Sequence, residues 1–281
     1  MKDTEYGRVA TAHETPGELR TLFSEVEDYF ACGAKVARGA TVVDVGANIG
    51  AFAIAVAKRC ERDLRLFCFE PVPALFRALE HNLRENDWLK GGAHHAFNLA
   101  LSTPEEDGIP CEFYYFRRFP RDSTMDLARK REEFEIFFAA QGKRIGRAVS
   151  WLGPGAKLVE RVVASLPRGS LGRFLSDRVT GLERLQVPRT TLSSALREQG
   201  SPRIDLLKID VEGAELKVLA GIDPPTWERI GQAVIEAGSE EQARALTSLV
   251  SARGLAQVRT FSPPSMADRG LHNVLLHFSR A

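Results

Sequence analysis

TVVDVGANIG, residues 41–50, decides the fold: a β-branched apolar run carries an acid, Asp44, into a turn built around two glycines. Thr41, Val42, Val43 and Val45 favour a buried strand, while Gly46 and Gly50 let the backbone turn tightly and approach a ligand closely. The apolar run from Ala51 to Ala57 predicts a helix. Strand, glycine turn and helix in that order open a nucleotide-type cofactor site, although the spacing alone equally suits a plain strand-to-helix connection.

The next strand narrows the choice. Leu64 to Phe69, LRLFCF, ends at Glu70, followed by Pro71 and Pro73. An acid twenty residues past Gly50, at the carboxyl end of the second strand, is placed to bond the two hydroxyls of a ribose; the plain alternative is a solvated acid at a strand end. Dinucleotide sites use Gly-x-Gly-x-x-Gly so that a pyrophosphate sits against the backbone, and here Asn48 stands where the second glycine belongs. Asp44 would also set negative charge near a diphosphate. An adenosyl cofactor with an amino-acid tail and a sulfonium, bringing positive charge and no phosphate, suits this turn better than NAD does.

The 281 residues, 44% hydrophobic and 27% charged, are enough for one α/β domain with an appendage. A net charge of +1 gives no reason to expect nucleic acid as a partner. Cys32, Cys60, Cys68 and Cys111 are scattered without a Cys-x-x-Cys pair, which points to core thiols in a reducing compartment. No apolar stretch reaches the roughly 20 residues of a bilayer span, and MKDTEYGR lacks a signal-peptide core, so the expected location is cytoplasmic.

Along the chain, residues 1–39 form an N-terminal cap, with a helix over Pro16 to Val36 in which Leu19, Leu22, Phe23, Val26 and Phe30 keep helical spacing. Strands are expected at Thr41 to Val45, Leu64 to Phe69 and His95 to Leu101, with a short one at Phe113 to Phe116. His94 and His95, at the start of their strand, read as structural. The alternation resumes with a strand at Ile204 to Ile209, a helix at Ala214 to Leu219, a strand at Gln232 to Glu236 and a helix at Glu241 to Arg253. Ala256 to Phe261 and Asn273 to Phe278 close the order as a pair. Such alternation predicts a mostly parallel sheet with helices on both faces and a ligand at the carboxyl ends of its strands.

Residues 117–187 interrupt the pattern and do not read as sheet. Fifteen Lys and Arg against eight Asp and Glu give this stretch an excess of seven positive charges. Glu132 to Ala140 and Lys157 to Leu166 read as helices, separated by the Gly153 to Gly155 break. An insertion of this kind reads as a lid or substrate-recognition element; an oligomer contact, such as a homodimer interface, or an irregular loop are the alternatives. Its charge favours an acidic or carrier-bound small-molecule acceptor, met by Arg117, Arg118 and Arg121.

Four blocks then carry a resemblance: VDVGANIG (43–50), FEPVPALFRALEHNLREN (69–86), IDLLKIDVEGAELKVLAGI (204–222) and AVIEAG (233–238). Together they resemble the FkbM family of S-adenosylmethionine-dependent methyltransferases, over residues 40–115 and 188–280, with Lys208 to Glu215 the most specific part. The resemblance implies a Rossmann-like class I methyltransferase: a seven-stranded, mostly parallel sheet with helices on both faces, plus the helical insertion. It implies O-methyl transfer from S-adenosylmethionine, leaving S-adenosylhomocysteine, to a hydroxyl of a secondary metabolite or of a glycan. A non-catalytic adenosyl-binding protein and an NAD-dependent oxidoreductase are the competing readings. The Asn/Asp-Pro-Pro-Tyr type motif of amine-modifying relatives is absent.

Within that frame Asp44, Gly46, Asn48 and Gly50 would shape the methionine side, Glu70 the ribose, and Pro71, Val72 and Ala100 to Ser102 the adenine. Asp210, at the end of the fourth core strand, would bind the amino group, act as a base, or hold a metal with Glu236. The plainer reading is that these acids cap helices and bond the cofactor. Glu212, Glu236 and Asn273 are candidates for the acceptor side, and His272 for the hydroxyl proton or merely for packing. Thr190 and Thr191 are expected to cap a helix.

Overall fold

Runs that are apolar on both faces make the central strands. The computed structural model describes residues 1–4, 6–12, 18–85, 89, 93–140, 177, 180–263 and 273–280. Before the core come a hairpin of β1 (Lys2–Thr4) and β2 (Gly7–Val9) and then α1 (Glu18–Ala31). The hairpin adds to the expected helical cap.

The core follows as β3 (Ala40–Val45), α2 (Ala51–Arg59), β4 (Leu64–Phe69), α3 (Pro73–Glu85) and β5 (Ala93–Phe97). Next are β6 (Ala100–Leu101), β7 (Cys111–Phe116), α4 (Leu127–Ala140), β8 (Leu182–Val187), β9 (Arg189–Thr190) and α5 (Leu192–Arg197). The chain continues through β10 (Leu206–Ile209), α6 (Glu215–Ala220), α7 (Pro224–Trp227), β11 (Gln232–Ala237), α8 (Glu240–Ser251), β12 (Ala256–Phe261) and β13 (Val274–Ser279). Seven strands form one sheet in the order β12-β13-β11-β10-β3-β4-β5, with β13 antiparallel to both its neighbours. The other pairings are parallel.

Alternate residues feed two cores. Val42, Leu66, Leu206 and Val234 pack with α1, α2 and α3, whereas Val43, Phe67, Leu207 and Ile235 pack on the opposite face with α5, α6 and α8. The strand order reverses at β3, whose neighbours are β4 and β10, and the crevice at such a switch point is where open α/β sheets bind ligands. The register there sets Asp44 opposite Lys208 and Val45 opposite Ile209.

Two expectations are corrected. The strand from His95 to Leu101 is broken at Asn98, whose amide donates to the carbonyls of Glu70 (2.8 Å) and Pro71 (2.9 Å); β6 then leaves the main sheet to pair with β9. Residues 182–187, assigned to the insertion, form β8, an antiparallel partner of β7 running from Cys111↔Val187 to Phe116↔Leu182. The insertion therefore rises from a two-stranded stem and begins and ends where that stem does. The expected helix at 157–166 lies outside the described residues, and that at 132–140 falls within α4.

Thr191 caps α5, its side chain accepting from the Ser194 N–H at 3.0 Å. Thr191→Ala is expected to lower stability by about 1 kcal/mol, measured by chemical denaturation, with no change in ligand affinity.

Candidate functional site

The glycine turn is shaped from below. Gly46 has φ +78°, and a Cβ there would stand 1.8 Å from the Asp210 carbonyl oxygen. Asn48 also lies in the left-handed region (φ 52°), its side-chain oxygen accepting from the Ile49 N–H at 2.8 Å. Asparagine tolerates that conformation better than most residues do, which is a local reason for its presence. Gly50, with φ +89°, is the N-cap of α2 and packs toward Leu79.

Glu70 ends β4 under the turn, with the Asn48 and Val72 N–H groups each donating to its carboxylate at 2.8 Å. It is 4% exposed, and burial pushes its pKa up to about 7, against the pull of those two N–H bonds. A cavity opens above it, walled by Gly46, Asn48, Glu70 and Pro71 on one side and by Asp210, Glu212, Glu236 and Asn273 on the other. Leu99, Ala100 and Leu101 also line it.

Several candidates lie elsewhere. Ser102 and Gly50 are not lining residues; the Ser102 hydroxyl donates instead to Glu106. Asp44 is fully buried beneath the turn, its Oδ1 in an ion pair with Lys208 Nζ at 3.1 Å and neither oxygen otherwise hydrogen-bonded. Burial raises the Asp44 carboxyl, and Lys208 works against that rise. Burial would lower Lys208, but Asp44 and Asp210 outweigh it and the net is upward. The same ammonium donates to the Gly46 carbonyl at 2.8 Å, so a buried cation ties β10 to the turn. Arg117 pairs with Glu183 at 3.2 Å and neither it nor Arg118 lines the cavity. Arg121 does line it, and is bound to Glu25. His272 lies outside the described residues.

Other lining groups had not been read from the sequence. Tyr29 of α1 donates its hydroxyl to Asp210 Oδ2 at 2.7 Å. Lys130 of α4, 2% exposed, meets Glu133 and Glu212 at 2.7 Å and Asp122 at 3.4 Å. Desolvation pushes the partly exposed Glu212 up to about 8 despite Lys130, and raises Glu236 well above its usual range together with the charges of Asp210 and Glu212. Asn273 donates to Glu236 at 2.5 Å. Among the described residues no three His, Cys, Asp or Glu side chains form a metal-binding group. Nor, among them, is any helix long and apolar enough to cross a membrane.

The chain is similar to known proteins. The Methyltransferase FkbM domain family matches residues 44–255. Methyltransferase sdnD of Sordaria araneosa is 32% identical over 203 residues, covering 69% of this chain and 65% of its own length. The 31-O-demethyl-FK506 methyltransferase FkbM of Streptomyces tacrolimicus is 30% identical over 268 residues, covering 94% of this chain and 91% of its own. The chain spans only 10% of another relative, the AMB antimetabolite synthetase AmbE of Pseudomonas aeruginosa. The solved structure of a methyltransferase FkbM from Methylobacillus flagellatus KT has the same fold, with a TM-score of 0.51 at 15% identity over 91% of this chain and 47% of that one. With its seven-stranded class I methyltransferase sheet and that family match, the chain belongs to the FkbM family of methyltransferases.

Proposed function

We propose that this chain is an S-adenosylmethionine-dependent O-methyltransferase acting on a hydroxyl of a small molecule, of the kind found among secondary metabolites. The observation that carries the reading is the charge of the cavity. Among the described residues seven acidic side chains line it (Glu25, Glu70, Asp122, Glu133, Asp210, Glu212 and Glu236) against three basic ones, and the crowding of acids helps push Glu212 and Glu236 up. Each of those cations, Arg121, Lys130 and Lys208, already sits against an acid. A ligand with a sulfonium and an ammonium relieves that excess, whereas a diphosphate adds to it. The names of the Sordaria and Streptomyces relatives support methyl transfer, and the latter name supports a hydroxyl of a natural product as acceptor.

The residues fit the donor. Glu70 would take the ribose hydroxyls, Gly46 to Asn48 would wall the methionine part, and Asp210 would hold its amino group. When bound, S-adenosylmethionine supplies an already activated methyl group, so orientation and water exclusion are the protein's main contributions. Asp210 and Glu236 present carboxylates to the same cavity, either of which suits a proton released from the acceptor hydroxyl. His272 is a further candidate for that proton, its chain neighbour Asn273 being part of the cavity wall. Arg117 and Arg118 lie off the cavity wall and Arg121 is held by Glu25, so these three arginines do not argue for an acidic acceptor.

Titration of the full chain with S-adenosylhomocysteine and with NAD tests the donor, and methyl incorporation from labelled donor into hydroxyl compounds tests the reaction. Micromolar S-adenosylhomocysteine binding without NAD binding supports the proposal, and the reverse preference overturns it. Glu70→Ala is expected to weaken S-adenosylhomocysteine by roughly 10- to 100-fold, since a hydrogen bond to a charged group is worth about 1.5–3 kcal/mol. In the unaltered protein the Glu70 contribution should rise as pH rises through about 7, as the carboxylate ionises and accepts from both hydroxyls.

A further inference from the structure

The cap helix forms a wall of the cavity. Leu22, Glu25, Val26 and Tyr29 line it at spacings of three, four and seven residues from Leu22, which is one helical face. The Tyr29 ring is 5% exposed and meets Phe52 edge-on, centroids 5.5 Å apart, while Lys208 Nζ stands 5.6 Å from its centre. These contacts leave the phenol little freedom. Its hydroxyl donates to Asp210 Oδ2 at 2.7 Å.

Two donors thus converge on one carboxylate oxygen, and they are unequal. Lys208 Nζ is 3.8 Å from Asp210 Oδ2 and is engaged more closely by the Gly46 carbonyl (2.8 Å) and by Asp44 (3.1 Å). Tyr29 is the close donor. Burial, with the charges of Asp210, Glu236 and Glu25, raises the phenol well above its usual range, so it stays protonated and donates. The other charged groups around Asp210 are Asp44 on β3, Glu212 and Glu215 after β10, and Glu236 on β11, all acids.

We propose that Tyr29 is a positioning residue of the donor site: its hydroxyl fixes Asp210 in one rotamer, leaving Oδ1 for the amino group of the bound adenosyl donor. The cap helix, which precedes the cofactor fold, thereby completes the cofactor site. This rests on the reading of the cavity as an S-adenosylmethionine site.

The test is titration of S-adenosylhomocysteine into the full chain, for the unaltered protein, Tyr29→Phe, Asp210→Asn and the double variant, each with its thermal midpoint. Tyr29→Phe keeps the ring and its packing. It should weaken binding about tenfold, the effect of losing one hydrogen bond to a charged group. Added to Asp210→Asn it should weaken binding no more than about twofold, whereas two independent losses would add. Full additivity with Asp210→Asn, or no loss at all, would overturn the role of Tyr29. Failure of the unaltered protein to bind S-adenosylhomocysteine would overturn the cofactor reading itself, which separates the two failures.

Discussion

Gly46→Ala is expected to abolish S-adenosylhomocysteine binding and to lower stability by on the order of 2–5 kcal/mol. An L-residue at φ +78° carries backbone strain of about 1–2 kcal/mol. A Cβ 1.8 Å from the Asp210 carbonyl oxygen and 2.9 Å from its carbon meets main chain that cannot rotate away, so β3 and β10 must part where the cofactor turn lies. Overpacking of that kind adds about 1–3 kcal/mol. Gly50→Ala is the control: its φ of +89° gives similar strain, but its Cβ meets only Leu79 Cδ1 at 2.9 Å, the movable end of a side chain off the cavity wall. It should lose stability and keep most of its affinity. Calorimetric unfolding and titration check both, and wild-type affinity in Gly46→Ala would contradict the account.

Lys208→Met is expected to destabilise the fold by about 3–5 kcal/mol, the usual result of removing one member of a buried ion pair. Asp44 would then lie fully buried with no counter-charge, and the Gly46 carbonyl would lose its donor. The pH dependence has a definite sign. Burial already raises the Asp44 carboxyl in the folded state, and loss of Lys208 raises it further. An acid with a raised folded pKa penalises folding above that pKa, and the penalty lessens as pH falls through it. Lys208→Met should therefore recover part of its lost stability toward acid pH, relative to the unaltered protein. Asp44→Asn in the Lys208→Met background should recover part of it at neutral pH. Denaturant midpoints across pH measure both, and a loss independent of pH and of Asp44 would show that the ion pair is not what Lys208 supplies.

What could be read from the sequence follows from how locally each feature is encoded. The central strands were legible because Thr41 to Val45, Leu64 to Phe69 and Gln232 to Glu236 are apolar on both faces and stop at turn residues or acids. The break at Asn98 was not, because one asparagine in HHAFNLAL leaves the apolar run intact while its amide ends the strand through bonds to a distant loop. Strand β8 was hidden in a stretch judged by its charge; in LERLQV only Leu185 to Val187 alternates, and its pairing with Cys111–Phe116 is what makes the strand visible.

At the site, Gly46, Asn48, Glu70 and Asp210 were legible from position at strand ends. The ion pair of Lys208 with Asp44 depends on register between strands that lie far apart in sequence. Adjacency of those two strands, had it been assumed, would have signalled it. Tyr29 was passed over because its hydroxyl, on the face that α1 turns to the cavity, leaves no mark on the helix's apolar spacing. Of the basic residues counted in the insertion, Arg121 and Lys130 reach the cavity already matched to Glu25 and Glu212, and those between 141 and 176 lie outside the described residues.

The claim that this cavity is an adenosyl-donor site is tested most directly by a crystal structure of the chain grown with S-adenosylhomocysteine. The account predicts the ribose hydroxyls on the Glu70 carboxylate, the homocysteine chain against Gly46 to Asn48, and the amino group within hydrogen-bonding distance of Asp210. A ligand bound away from the Glu70 carboxylate, or none in a crystal grown at millimolar concentration, would contradict it.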